Sequence, residues 1–230
     1  MQKMNLNLHK LLPGPSLKDM ALSIIKESIL LKKLEPETMY TEAALTNELG
    51  ISRTPVREAL IHLASRGMIV YFPRKGFKIK SMTARDVENL FELRLALELA
   101  VIGHITPNLT EKSLSEIDRV RTEYLEVMQK GETVDSIHAN RNFHMCLAGL
   151  TENAYLINSL DEIRDLTDLA NARSLESNIR NIEAINEHEK IIAEIKKRSI
   201  SGALREMEAH ILATKEKVLA RIQSPKTLDS

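Results

Sequence analysis

Residues 49–69 of the 230-residue chain read LGISRTPVREALIHLASRGMI, and this stretch decides the fold of the N-terminal part. Thr41 is a good N-cap for a short helix that ends at Gly50, because a hydroxyl accepts from free backbone N–H groups and glycine tolerates a left-handed helix end. Ser52 caps the next helix, and Pro55 fits its first turn, where the backbone N–H has no partner within the helix. Two helices joined by so short a turn are typical of a helix-turn-helix.

The sequence on either side completes a small domain. Apolar residues at helical spacing, Ile24 among them, predict a helix over residues 17–34 that Pro36 stops. After the helix-turn-helix, β-branched and aromatic runs bracket a turn at residues 73–76. This pattern predicts a β-hairpin in which Gly76 takes a positive φ.

Three helices followed by a hairpin is the order of a winged helix-turn-helix, which we place at residues 17–80 after a flexible lead at residues 1–16. Beyond Ser81 the pattern is helical throughout and predicts an antiparallel six-helix bundle within a second domain at residues 83–222. The predicted helices of the bundle are residues 83–105, 110–130, 133–149, 153–173, 178–198 and 201–222. The fold class is therefore mainly α with one small β-hairpin wing.

The two predicted domains differ in charge. Residues 1–80 carry 13 Lys and Arg against 7 Asp and Glu; the chain totals are 32 and 32, so the remainder carries 19 against 25. This division predicts that only the N-terminal domain meets a polyanion. The single cysteine, Cys146, fits a reducing cytosol, and no apolar run approaches the roughly 20 residues that span a bilayer. We therefore expect a cytoplasmic protein without membrane contact.

The start of the second helix in the helix-turn-helix carries a basic face. Arg53 and Arg57 are four residues apart, so both guanidinium groups project from one side, and arginine bonds bidentately to guanine in the major groove. Hydroxyl groups, free N–H groups at the helix start and basic residues at the wing tip suit the DNA backbone. The DNA contacts predicted in this way are Ser52, Arg53, Thr54, Arg57, Arg74 and Lys75. The alternative is an ordinary amphipathic helix with a solvated basic face.

Three histidines interrupt the apolar stripes of three bundle helices. His144 follows Ile137 on one stripe, His188 lies among isoleucines on another, and His210 follows Met207 on the last helix. A single core histidine is usually an ordinary hydrogen-bonded residue, but several buried imidazoles without partners are costly, and one divalent ion would satisfy all three. Imidazole suits zinc, nickel, iron or copper, so the pattern predicts a metal site without naming the ion.

Arg94 is a charged residue within an apolar stripe of the first bundle helix, where a guanidinium group needs a partner. Two structural explanations are an internal pair with Glu98, one turn later, and extension of the side chain to the surface. The functional alternative is a clamp for the carboxylate of a bound ligand, which arginine matches bidentately.

The run at residues 49–60 resembles the signature of the GntR family of bacterial regulators, Leu-Gly-Val-Ser-Arg-Thr-Pro-Val-Arg-Glu-Ala-Leu, with Ile51 in place of the valine. The resemblance continues through the wing, where it includes Gly76 among the DNA-binding residues, and it implies binding to double-stranded DNA. Ala43 stands where many members have a DNA-contacting arginine. The arginines of the second helix are therefore expected to carry more of the specificity.

The C-terminal domain resembles the FCD domain of FadR-type members, and six rather than seven helices implies the VanR-like subgroup. The residues that match the family pattern are Phe143, His144, Leu147, Asn153, Leu156, Glu187, His188, Met207 and His210. In the family an acid and three histidines bind a divalent metal (Zn, or Ni, Fe or Mn), which implies the ligands Asn140, His144, His188 and His210, with an amide replacing the acid. The family's use of an arginine for organic-acid effectors implies Arg94 as the ligand-binding residue.

The resemblance implies a homodimeric repressor, not an enzyme, that holds a pseudo-palindromic operator until a small organic acid binds. Two alternatives remain open at this point. Three histidines with an open position also suit a metal-dependent hydrolytic enzyme, although Glu187 and Glu189 flank His188 on other helix faces and leave it without a general base. The second alternative is an effector-independent DNA-binding protein, which would use the winged helix-turn-helix and leave the histidines and Arg94 without a role.

Overall fold

The computed structural model describes residues 14–130, 133–172 and 178–223, so most of the predicted lead lies outside the described residues. The N-terminal domain consists of helices α1 (Leu17–Leu30), α2 (Glu42–Leu49) and α3 (Arg53–Ser65) and strands β1 (Ile69–Phe72) and β2 (Gly76–Ile79). The helices that follow are α4 (Ala84–Ile105), α5 (Glu111–Lys130), α6 (Thr133–Gly149), α7 (Ala154–Ala172), α8 (Asn178–Lys196) and α9 (Ile200–Gln223). The predicted fold class, a winged helix-turn-helix followed by six helices, is confirmed.

Local signals in the sequence place most helix ends correctly. The Thr41 hydroxyl accepts from the backbone N–H of Ala44, and Gly50 ends α2 in the left-handed region at φ 62°. Thr83 forms a reciprocal capping box with Asp86 at the start of α4. Ser52 occupies the N-cap position of α3, but its side chain makes no capping hydrogen bond, so its hydroxyl remains available at the helix start.

Helix α1 is shorter than its apolar pattern predicts. It ends at Leu30 rather than residue 34, and the chain turns at Lys32, whose φ is 58°. The pattern also includes side chains that do not enter the core. Leu17, Met20 and Ile24 form an exposed apolar stripe along α1, while Ile25 on the opposite side is buried.

The wing is a two-stranded antiparallel hairpin in which Phe72 pairs with Gly76. It is attached to the helices through Tyr40, whose backbone N–H and C=O both bond to Phe77. Gly76 has the predicted positive φ, 129°, and a Cβ atom built there would lie 1.9 Å from the Tyr40 carbonyl oxygen. Glycine at this position therefore lets the wing approach the segment before α2.

Among the six C-terminal helices, α4 contacts α9, α7 and α6, while α5 packs on α6 and α8 on α9. One apolar core continues from the winged helix-turn-helix into these helices, because α1 packs on both α3 and α7. None of the described helices is both long enough and apolar enough to cross a membrane.

Candidate functional site

The predicted DNA-reading residues lie at two places in the N-terminal part, the start of α3 and the turn of the wing. At the start of α3, Arg53 and Thr54 are exposed beside the free Ser52 hydroxyl. At the turn of the wing, Arg74 and Lys75 are exposed as well. Gly76, which the family resemblance includes in this set, is buried at the root of the wing, where it allows the close contact with Tyr40.

Arg57 is exposed, but its guanidinium group is already held by an acid of the preceding helix. Its Nε and Nη2 donate to the two carboxylate oxygens of Glu42, at 3.1 and 3.0 Å, and the Tyr71 hydroxyl of the wing donates to the same carboxylate. The hydrogen bonds from Arg57 and Tyr71 lower the pKa of Glu42. Glu42 thus links α3 to the wing, a contact that sequence reasoning missed.

The three histidines of the bundle meet in its interior, as their stripes predict. His144 on α6, His188 on α8 and His210 on α9 are all buried. The Nε2 atom of His210 lies 3.3 Å from that of His144 and 3.4 Å from that of His188. Ligand nitrogens about 2.0–2.1 Å from a tetrahedral zinc ion are separated by about 3.3–3.4 Å. Two of the three separations therefore match one tetrahedral ion, and the ligand atoms of all three histidines lie within 4.8 Å of one another.

Carboxylates lie at the Nδ1 atoms of His210 and His144, and the Nε2 atoms of these two rings face each other. Glu187 Oε2 lies 2.7 Å from His210 Nδ1 within hydrogen-bond geometry, whereas Glu98 Oε1 lies 2.8 Å from His144 Nδ1 as an electrostatic contact without a hydrogen bond. A carboxylate behind a metal-binding histidine fixes the tautomer and increases the basicity of the ligand. Glu187 is expected from the sequence to flank His188 on another helix face, and its carboxylate in fact reaches His210 of the neighbouring helix α9.

Aromatic rings hold the third histidine. The Phe143 ring stacks on His188 with centroids 4.0 Å apart and an angle of 18°, and the Tyr124 ring lies 4.7 Å from it. This stacking orients His188 by its ring plane. Phe143 precedes His144 in sequence, so one short segment of α6 supplies both a candidate ligand and the support for another.

The charge state of the cluster also suits a metal. Burial, with Arg164 and Arg94 nearby, holds the pKa of His144 well below its ordinary value, so the imidazole is neutral, the form that binds metals. Asn140, the remaining predicted ligand, lies one turn before His144 on α6 and is half-buried. It makes no hydrogen bond with any residue that the structure describes.

Arg94 is fully buried beside the cluster, which rules out extension to the surface. Its Nη2 lies 3.2 Å from His144 Nε2, and its Nε lies 3.5 Å from Glu98 Oε1. Burial and the neighbouring Arg164 lower the pKa of Arg94 to about 9, so it is positively charged at neutral pH. The predicted pair with Glu98 is therefore present as a long contact.

Sequence reasoning missed Arg164, a second fully buried arginine on α7, whose Nη1 lies 3.6 Å from Glu98 Oε1. The rule that singled out Arg94, a charged residue within an apolar helix stripe, would also have found Arg164. Leu160, Arg164, Thr167 and Asn171 follow each other at steps of four, three and four, and all are buried. A charged residue in the buried stripe of a helix signals either a structural pair or a ligand site.

Helix α7 also carries the ionic contact between the two domains. Asp165 accepts from Lys26 of α1 at 2.5 Å, from Arg66 after α3 at 2.6 Å, and from Arg141 of α6 at 2.9 Å. Asp161 adds contacts to Arg66 and Arg141. Two acids four residues apart on α7 thus connect the N-terminal part to the helix segment that carries Arg164.

Two family models match this chain. The model described as "Bacterial regulatory proteins, gntR family" covers residues 17–79, and the "FCD domain" model covers residues 89–213. The chain belongs to the GntR-type bacterial regulators with a C-terminal FCD domain. It is a DNA-binding transcriptional regulator with an effector-binding domain, so the alternative of a hydrolytic enzyme is wrong.

Individual relatives agree with this class. The chain is 28% identical over 187 residues to the uncharacterized HTH-type transcriptional regulator YdhC of Bacillus subtilis, covering 81% of this chain and 84% of YdhC. It is 23% identical to the HTH-type transcriptional repressor RspR of Escherichia coli, over 85% of this chain and 86% of RspR. The solved structure of E. coli McbR/YncC shares the fold, with a TM-score of 0.77 at 22% identity over 91% of this chain and 99% of that one.

Proposed function

We propose that the protein is a cytoplasmic homodimeric repressor that leaves a pseudo-palindromic operator when a small organic acid binds beside a divalent ion in its FCD domain. The observation that carries the proposal is the spacing of the three histidine Nε2 atoms next to the buried Arg94 guanidinium. The repressor named RspR among the relatives supports the direction of regulation.

For DNA, α3 would enter the major groove with Arg53 and Arg57 at the base edges. Ser52 and Thr54 at the start of α3 would bind phosphate, as would the exposed Arg74 and Lys75 of the wing. Gly76 would contribute through the shape of the wing. The Arg57–Glu42 pair supports this arrangement, because an arginine held bidentately before binding loses less conformational freedom when it meets DNA.

For the effector, His144, His188 and His210 would hold the ion, with Asn140 as an additional oxygen ligand. The ion would supply positive charge, and a carboxylate would bind as a fifth ligand beside these four. His144 Nε2 has one lone pair, so Arg94 would turn from this atom to the carboxylate of the acid. Glu98 would remain behind His144 and keep Nε2 directed at the centre.

For coupling, α7 would transmit the change. Arg164 lies beside Glu98 of the proposed effector site, while Asp161, about one turn before it, and Asp165, directly after it, bind Arg66 and Lys26 of the DNA-reading domain. A small rotation or shift of α7 would therefore alter the position of α3. In a dimer, a change in the spacing of two recognition helices lowers the affinity for a two-fold operator. The exposed apolar stripe on α1 supports contact with a second copy.

The test uses the full-length protein and an operator selected from random DNA. We expect native mass spectrometry to show two protomers per operator, and fluorescence anisotropy to show release when zinc and an organic acid are both present. Arg94→Ala should bind the operator like wild type and lose the response to the acid. Loss of operator binding in Arg94→Ala would instead assign this residue a structural role, and an acid-independent affinity in wild type would contradict the proposal.

A further inference from the structure

The guanidinium group of Arg164 is buried without a hydrogen-bond partner. The residue is 0% exposed, and its Nε, Nη1 and Nη2 atoms make no hydrogen bond with any part of the chain that the structure describes. Its closest acidic contact is Glu98 Oε1 at 3.6 Å, outside hydrogen-bond distance. Most buried polar groups in proteins are hydrogen-bonded, so a guanidinium with all of its donors free needs an explanation.

The neighbouring groups are unsatisfied in the same place. Arg94 Nη1 and Glu98 Oε2 are also buried without a hydrogen bond to a described residue. The other oxygen of Glu98 is shared among Arg94, Arg164 and His144. One carboxylate oxygen thus serves three groups, and donors from two arginines remain free. Four guanidinium nitrogens are free here against one free oxygen of Glu98, so donors outnumber acceptors, and this excess points to an absent anion.

A third arginine shows that this fold can satisfy a buried guanidinium group with its own residues. Arg141, on α6 beside α7, bonds to Asp161, Asp165 and Asp168 at 2.5 to 2.9 Å. Burial opposes the charge on Arg141, but Asp168 and Asp165 outweigh it and raise its pKa, whereas burial lowers the pKa of Arg164. Arg141 is a structural residue by this criterion, and Arg164 is not.

The charge balance gives the class of ligand. Arg94 and Arg164 bring two positive charges, and a divalent ion on the histidines would add two more, against the negative charges of Glu98 and Glu187. The charge of Asp168 also acts on both arginines, but this acid already pairs with Arg141. A monocarboxylate would leave much of this buried charge uncompensated, which is costly in a low-dielectric interior. An acid with two carboxylate groups comes closer to balance and offers acceptors to both arginines.

We propose that Arg164 is a second effector-binding arginine and that the effector is a small dicarboxylic acid. One carboxylate meets the metal and Arg94, and the other meets Arg164. This inference rests on the proposed effector site, to which it adds a residue on α7 and the number of acidic groups.

The first measurement compares the melting temperatures of variants at two buried arginines, with no ligand added. In the purified full-length protein, Arg164→Met removes an unpaired buried charge, so the melting temperature should stay the same or rise. The matched variant Arg141→Met removes a paired charge and should lower the melting temperature clearly. A loss in Arg164→Met as large as in Arg141→Met would show a structural role and overturn the inference.

The second measurement is calorimetric titration of the zinc-loaded protein with succinate and with propionate. Wild type should bind succinate more tightly than propionate. Arg164→Met should weaken succinate binding about tenfold to a hundredfold, with propionate and zinc binding unchanged. Arg164→Gln, which keeps a polar side chain, serves as the second variant and should behave in the same way.

The outcomes separate this inference from the function on which it rests. If Arg164→Met binds succinate as tightly as wild type does, and likewise propionate, the role of Arg164 is overturned and the acid-responsive repressor stands. If wild type binds propionate as tightly as succinate, the dicarboxylate class is overturned. If neither acid binds wild type, the inference is overturned, and release of the operator by other acids then decides the proposed function separately.

Discussion

Substitution of Asp165 tests how much the ionic contact between the two domains stabilises the protein. The change Asp165→Asn keeps the shape of the side chain and removes its charge. Burial alone would raise the pKa of Asp165, but the hydrogen bonds and charges of Lys26, Arg141 and Arg66 outweigh burial and lower it. The native carboxylate is therefore charged, and the substitution weakens three charge-assisted contacts that link α1, α3 and α6 to α7.

The expected magnitude follows from the exposure of the partners. Breaking a fully buried ion pair costs about 3–5 kcal/mol. Here the side chains of Lys26, Arg66 and Arg141 are 20%, 16% and 15% exposed, and both arginines keep Asp161 as a partner. Partial access to water and the remaining acid reduce the loss, so we expect Asp165→Asn to lower the free energy of unfolding by about 2 kcal/mol.

The assay is urea unfolding followed by circular dichroism. The free energy of unfolding of each protein is obtained from its midpoint and its measured slope, and the two values are compared. The matched control is Asp118→Asn. Asp118 also pairs with a lysine at 2.5 Å, but the side chains of Lys196 and Asp118 are 39% and 51% exposed, so the change should cost under about 0.5 kcal/mol. Equal losses in the two variants would refute the reasoning.

Three further predictions concern the wing, the histidine cluster and the recognition helix. Gly76→Ala should lower the free energy of unfolding, measured in urea, by more than about 2 kcal/mol and should weaken operator binding. The reason is that the new Cβ would collide with the Tyr40 carbonyl while the residue holds a strained positive φ. An unchanged urea midpoint would contradict this. With a chelator present, the imidazole of residue 144 is protonated near pH 6.5 in the unfolded chain but stays neutral in the folded protein, where burial lowers its pKa. The free energy of unfolding should therefore fall by up to about 1.4 kcal/mol per pH unit below pH 6.5. Urea unfolding at pH 7.5 and 5.5 should show a smaller fall for His144→Gln than for wild type. Arg57→Ala should cost about 1–3 kcal/mol in operator binding by anisotropy, whereas Arg119→Ala, an exposed arginine that is also paired with acids, should bind like wild type.

The sequence by itself determined the local features of this protein. Thr41, Gly50 and Thr83 mark helix ends because capping depends on residues within one turn of each other. Gly76 marks the hairpin because a positive φ is a property of one residue. The positions of the three histidines within apolar stripes were also sufficient to predict that they meet, since each stripe must face the bundle interior.

Only the tertiary structure decided which groups stand behind these residues. Glu187 reaches His210 from another helix, Glu42 holds Arg57 across a turn, and Arg164 faces Glu98 from a segment 66 positions further along the chain. Such partners depend on the rotation and register of packed helices, which periodicity leaves undetermined. For the same reason the apolar pattern of α1 did not reveal that Ile24 faces outward, nor that Lys26 on that helix binds Asp165 of α7.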